Sequence, residues 1–188
     1  MWRSRATLRR LALNEVKGLS LRKVLFLLLL FLPALWLALQ ITLPGYTRLE
    51  LTDAETGRKT LVVVLSDGEQ VVLTWHNSLF NLDVTEVFVA ESGWLIQTEV
   101  TFADPRGVPP MHASPQDLDD LYHTGGPFTV QGLRKPFARI VYRVGEIGEP
   151  KMRVGDRVVE FKREVGFGGG VVLTVQTATL CQRLFESW

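Results

Sequence analysis

Between residues 24 and 43 the chain reads VLFLLLLFLPALWLALQITL, with no charge and only two polar side chains, Gln40 and Thr42. A run of about 20 residues at 1.5 Å rise covers roughly 30 Å, the thickness of a bilayer's hydrocarbon core. Pro33 would interrupt a water-exposed helix but is tolerated in a spanning one. A cleaved signal would have a shorter apolar core and a small-x-small pair at its end. The pairs here, Trp36/Ala38 and Leu37/Leu39, fit that rule poorly. The run is therefore expected to be an uncleaved transmembrane helix, with Tyr46 just beyond it as an interfacial aromatic.

After residue 43 the pattern changes to short runs of β-branched and aromatic residues separated by turn signals. Asp67-Gly68, Ser92-Gly93 and Gly155-Asp156 each lie between two such runs, and each predicts a hairpin. ARIVYRV alternates, with Ala138, Ile140, Tyr142 and Val144 on one face and Arg139, Val141 and Arg143 on the other. VVLTVQT supplies a last strand after the glycines at 168–170. About nine short strands are expected, in an antiparallel sandwich or barrel.

Two short helices interrupt this all-β expectation. SPQDLDDLY offers Ser114 as N-cap and Pro115 at the first helical position. It sits in the longest connection, from Asp104 to Phe128. Long connections in compact domains are often functional. In the tail, Leu180, Leu184 and Trp188 share a helical face expected to dock on the sheet.

Charge divides the chain in two. Residues 1–23 hold seven basic side chains and one acid, while the remainder holds 14 basic and 19 acidic. The basic head predicts a cytoplasmic N-terminus and an exported domain over residues 44–188. Residues 2–19 could also lie on lipid as a short helix with Leu8, Leu11 and Val16 inward, although a plain topology signal suffices. The acidic balance of the body argues against nucleic acid as a partner. Cys181 is the only cysteine, which excludes an intrachain disulfide and a zinc site of clustered cysteines.

Candidate chemistry centres on WHNSLFNLDVTEVF, residues 75–88. His76, Ser78 and Glu86 form a candidate polar cluster or partner contact. Glu86 lies in a strand with apolar groups on both faces and so needs a partner, which His76 could supply if the strands pair. Metal binding would need His76 and Glu86 to converge with His112 or His123, and no spacing calls for it. There is no Gly-x-Ser-x-Gly elbow, and the glycines at 166–170 precede a strand rather than the helix a phosphate site requires. No catalytic residue, cofactor or metal is expected.

The blocks Trp75-His76, Ser78, Val84, Glu86 and Phe88, then Tyr142-Arg143-Val144-Gly145, then Val154-Gly155-Asp156-Arg157-Val158 form a recognisable order. Over about residues 60–175 the chain resembles a small family of unknown biochemical activity. Genes of that family often lie beside, or fused to, those for the membrane subunits of TAXI-type TRAP transporters, and its members are treated as an accessory fourth subunit. In that family serine follows histidine directly, whereas Asn77 intervenes here. A bulge at Asn77 would preserve the match, and without one the side chains beyond it change face. The resemblance implies a non-enzymatic accessory subunit in the cell membrane, with the transporter's membrane subunits and its substrate-binding protein as partners. The alternatives are a stand-alone exported binding or chaperone-like module and, further off, a metal-assisted enzyme.

Overall fold

The computed structural model describes residues 20–186. The surface helix expected over residues 2–19, and Trp188, lie outside the described residues. The chain divides into two units, the first ending at Ile41 and the second beginning at Thr42.

In the first unit, helix α1 (Leu21–Leu39) carries Pro33 inside it. Its stretch from Arg22 to Leu39 is long and apolar enough to cross a membrane. The helix and the apolar run are offset. Arg22 and Lys23 are helical, whereas Thr42 and Leu43 already belong to the first strand. Pro44 keeps Leu43 in extended geometry, which suits the strand that has begun at Thr42.

The second unit is a sandwich of two sheets rather than a closed barrel. Its eleven strands are β1 (Thr42–Asp53), β2 (Lys59–Ser66), β3 (Gln70–Asn77), β4 (Leu82–Glu91), β5 (Trp94–Ala103), β6 (Met111–Ala113), β7 (Phe128–Phe137), β8 (Arg139–Arg143), β9 (Lys151–Val154), β10 (Arg157–Glu160) and β11 (Gly170–Thr179). One sheet has the order β2-β1-β11-β8, the other β10-β9-β3-β4-β5-β7-β6. All pairings are antiparallel except β6 with β7. The count exceeds the expected nine partly because β6 forms inside the long connection. That connection also holds a 3-10 turn (Pro115–Asp117) and helix α2 (Leu118–Thr124); Ser114 takes the expected N-cap position, but its hydroxyl donates to Asp117 Oδ2 at 2.8 Å and caps no N–H. Helices α3 (Phe161–Val165) and α4 (Leu180–Phe185) complete the unit.

Ser92-Gly93 and Gly155-Asp156 close hairpins, β4–β5 and β9–β10. Asp67-Gly68 does not. β2 pairs with β1, while β3 pairs with β4 and β9, so this turn carries the chain from one sheet to the other. Gly68 takes φ +90°, and Asp67 uses both carboxylate oxygens to hold Ser92, accepting from its N–H at 2.8 Å and its hydroxyl at 3.0 Å. The corner is thereby fastened to the neighbouring hairpin.

Alternation supplies the core. Leu49, Leu51, Leu173 and Val171 face Val71, Leu73, Phe88 and Met152 in one cluster. A second cluster gathers Val84, Val100, Phe102, Phe128 and Leu118 under α2. Strand directions give the sandwich two distinct ends. Thr42, the Asp67-Gly68 corner, the Ser92-Gly93 turn and the start of α4 share the end where the chain enters. The Asn77–Leu82 turn, the connection from Asp104 to Pro127 and the Gly145–Glu149 segment lie at the opposite, loop end.

The tail differs from expectation. α4 packs on β1 through Arg183, which lies 5.0 Å from the centre of the Tyr46 ring, and through Glu186, which accepts from Arg48 Nε at 2.5 Å. Leu184 is exposed rather than docked.

Candidate functional site

Glu86 stands mid-strand in β4, opposite Leu73 of β3 and Val100 of β5. Val84 on one side of it belongs to the second apolar cluster and Phe88 on the other to the first, so the carboxylate occupies the seam between them. A carboxylate there loses water and needs donors. Three are provided. Tyr142 Oη donates to Oε2 at 2.7 Å, Trp75 Nε1 to the same oxygen at 3.3 Å, and Gln97 Nε2 to Oε1 at 3.0 Å. Among the described residues no buried side-chain polar atom lacks a partner.

Each donor arrives by a separate local rule. Trp75 shares the inward face of β3 with Leu73, two residues away in a strand of period two. Tyr142 faces inward from β8, in the opposite sheet, so its hydrogen bond crosses the sandwich. Gln97 depends on a bulge. Phe88 pairs with Gln97 but Val87 pairs with Glu99, which leaves Thr98 without a counterpart. The extra residue turns Glu99 outward and Val100 inward, so the seam receives an amide and not a second carboxylate.

Electrostatics follow the burial. Desolvation raises the Glu86 pKa, and the hydrogen bonds from Tyr142, Trp75 and Gln97 oppose it in part. Tyr142 is pushed strongly upward by desolvation and then by the Glu86 charge. Tyr122, on α2, is pushed up to about 12 by the same two causes in the same order.

The expected cluster of His76, Ser78 and Glu86 is not brought together. β3 and β4 pair without interruption from Gln70–Val89 to Asn77–Leu82, which sets His76 opposite Asp83 and Glu86 opposite Leu73. His76 and Glu86 therefore lie on opposite faces, and the expected pair between them does not form. His76 Nδ1 instead contacts Asp83 Oδ1 at 2.8 Å. Asn77 makes no bulge. It ends β3, and its Oδ1 accepts from the N–H groups of Leu79 at 3.0 Å and Phe80 at 3.3 Å, leaving Ser78 exposed in the turn. His76 and Asp83 border a shallow groove of about 450 Å³ with Thr74, Thr85, Gly148 and Lys151. His112 and His123 are exposed on β6 and α2. Among the described residues no three histidine, cysteine or acidic side chains stand together as metal ligands would.

Sequence reasoning missed Trp75, Gln97, Tyr122 and Tyr142 as Glu86's surroundings. A usable signal existed for two of them, since Trp75 and Tyr142 are polar-tipped aromatics at inward positions of alternating strands. Such residues find a partner when buried.

The described residues thus define a two-sheet β-sandwich preceded by one long apolar helix, with one carboxylate, Glu86, hydrogen-bonded from both sheets. Comparison of the chain with protein-family models, with curated proteins and with solved structures finds no match in any of the three.

Proposed function

We propose that the chain is a non-enzymatic accessory subunit of a TAXI-type TRAP transporter, held in the cytoplasmic membrane by α1 with its sandwich on the outer side. The observation that carries the reading is the order of parts: seven basic residues, a helix able to cross a bilayer, then at once a β-sandwich. Basic residues stay on the cytoplasmic side of such a helix, so the sandwich is exported. The sequence resemblance supplies the transporter. The loop end, farthest along the strands from Thr42, is the partner-facing end, and His76 and Ser78 lie there. Both oxygens of Glu86 are taken by donors, which supports a bracing role between the sheets rather than acid–base chemistry.

Solubilising the membrane in mild detergent and capturing the tagged full chain is expected to recover the transport subunits or the substrate-binding protein. Deleting the gene is expected to reduce substrate uptake. Recovery of neither component together with unchanged uptake overturns the reading.

The groove beside His76 favours a second reading, a stand-alone exported binding or chaperone-like module. A peptide or small molecule that binds tightly and shifts the resonances of His76 and Thr85, with no transporter component captured, would select it.

A further inference from the structure

Two exposed hydrophobic side chains sit at the end of the sandwich where the chain enters. Thr179, the last residue of β11, pairs with Thr42, the first residue of β1, and α4 begins at the next residue. A capping box fixes that start. The Thr179 hydroxyl accepts from Gln182 N at 3.3 Å, and Gln182 Oε1 accepts from Thr179 N at 2.9 Å. The polar groups of α4 reach inward to the sheet, Arg183 to Tyr46 and Glu186 to Arg48. Leu184 and Phe185 do not, and remain 59% and 75% exposed.

The rest of this end has matching chemistry. Trp94, just past the Ser92-Gly93 turn, is 47% exposed. Glu91, its partner across the turn, is ion-paired with Arg134 at 2.9 Å, so the charges beside Trp94 are matched. Exposed Leu, Phe and Trp side chains close together are what the interfacial layer of a membrane selects.

The tether decides the occupant. Only Gln40 and Ile41 separate the last residue of α1 from Thr42. If α1 spans, Thr42 emerges at the bilayer surface and its partner Thr179 is held there with it. A surface tethered that closely meets lipid at a high effective concentration before any diffusing protein arrives. We infer that α4 is a membrane-contacting foot, with Leu184 and Phe185 entering the headgroup–acyl boundary of the outer leaflet. The inference rests on the membrane-anchor reading above.

The full chain carrying Cys181→Ser is reconstituted in phosphatidylcholine–phosphatidylglycerol vesicles. Leu184→Cys, Phe185→Cys, Leu79→Cys and Leu30→Cys are labelled one at a time with an environment-sensitive fluorophore. Lipids with a quencher on the acyl chain are then included. Quenching at 184 and 185 is expected to exceed that at 79, in the loop-end turn, by about threefold or more, with blue-shifted emission. Quenching at 30 with water-like emission at 184 and 185 overturns the inference and leaves the anchor standing. Emission at 184 and 185 that is blue-shifted yet unquenched means that protein covers the patch, which also overturns it. No quenching at 30 overturns the anchor and the inference together.

Discussion

The Tyr142 hydroxyl donates to the Glu86 carboxylate at 2.7 Å, and the two residues come from different sheets. Their bond ties the two sheets across an apolar interior. Tyr142→Phe removes the donor while keeping the ring, which packs near Phe161 at 5.8 Å between centroids. It also leaves Glu86 Oε2 with Trp75 alone, at 3.3 Å. A buried acceptor stripped of its best donor costs about 1–3 kcal/mol. For a chain of this size that lowers Tm by roughly 2–4 °C per kcal/mol. Thermal unfolding of the full chain in detergent measures it, and an unchanged Tm would count against the seam as a structural brace.

The raised pKa of Glu86 fixes the sign of a pH effect. Its folded value lies above the usual 4.5, because burial outweighs the three donors. Its contribution to stability is therefore fully present below 4.5 and lost as pH rises through the folded value. Glu50 runs the other way. Desolvation pushes it up, but Lys59 and Arg48 hold it below the usual range, so its contribution is lost as pH falls. Comparison with Glu86→Gln isolates the first effect. The stability of the wild type relative to that variant is expected to decline as pH rises above 4.5. Urea unfolding at several pH values tests it, and parallel curves for the two proteins would refute it.

How much of this was legible beforehand depends on whether the deciding partner is local. ARIVYRV announced Tyr142's inward face because alternation is a property of one strand. Ser92-Gly93 and Gly155-Asp156 announced hairpins because their partners are the next strands along. Asp67-Gly68 has the same turn chemistry, yet the strands it joins take other partners, and nothing local reports that. The His76–Glu86 expectation failed on parity. Once Asn77 pairs with Leu82, His76 must meet Asp83, and Glu86 must face the other side. Gln97 stayed hidden because the bulge at Thr98 exists only in the register with β4.

Gly93 is held where no other residue fits. Its φ is +90°, and a Cβ there would meet the backbone nitrogen of Thr177 at 2.5 Å. Its own N–H donates to Thr47 Oγ1 at 2.8 Å, so the close approach is what docks the β4–β5 hairpin on the other sheet. Gly93→Ala is expected to cost about 2–4 kcal/mol, from left-handed strain and overpacking against main chain. Gly155→Ala, also at positive φ (+54°) but with nothing within 4 Å of the new Cβ, is expected to cost about 1 kcal/mol. Denaturant midpoints for the two variants compare them directly. Equal losses would mean that the contact with Thr177 does not matter.

Opposite faces should behave as independent sites. His76 touches Asp83 on the groove side, and Glu86 touches Tyr142 inside, with the sheet backbone between them. A double-mutant cycle of His76→Ala with Glu86→Gln is expected to be additive within about 0.5 kcal/mol. The cycle of Tyr142→Phe with Glu86→Gln is expected to show coupling of about 1 kcal/mol or more, because each substitution alone breaks the same hydrogen bond. The two results together distinguish the crossing bond from the pair that the primary sequence suggests. Strong coupling between positions 76 and 86 would instead require them to share a face, which the register Asn77–Leu82 forbids.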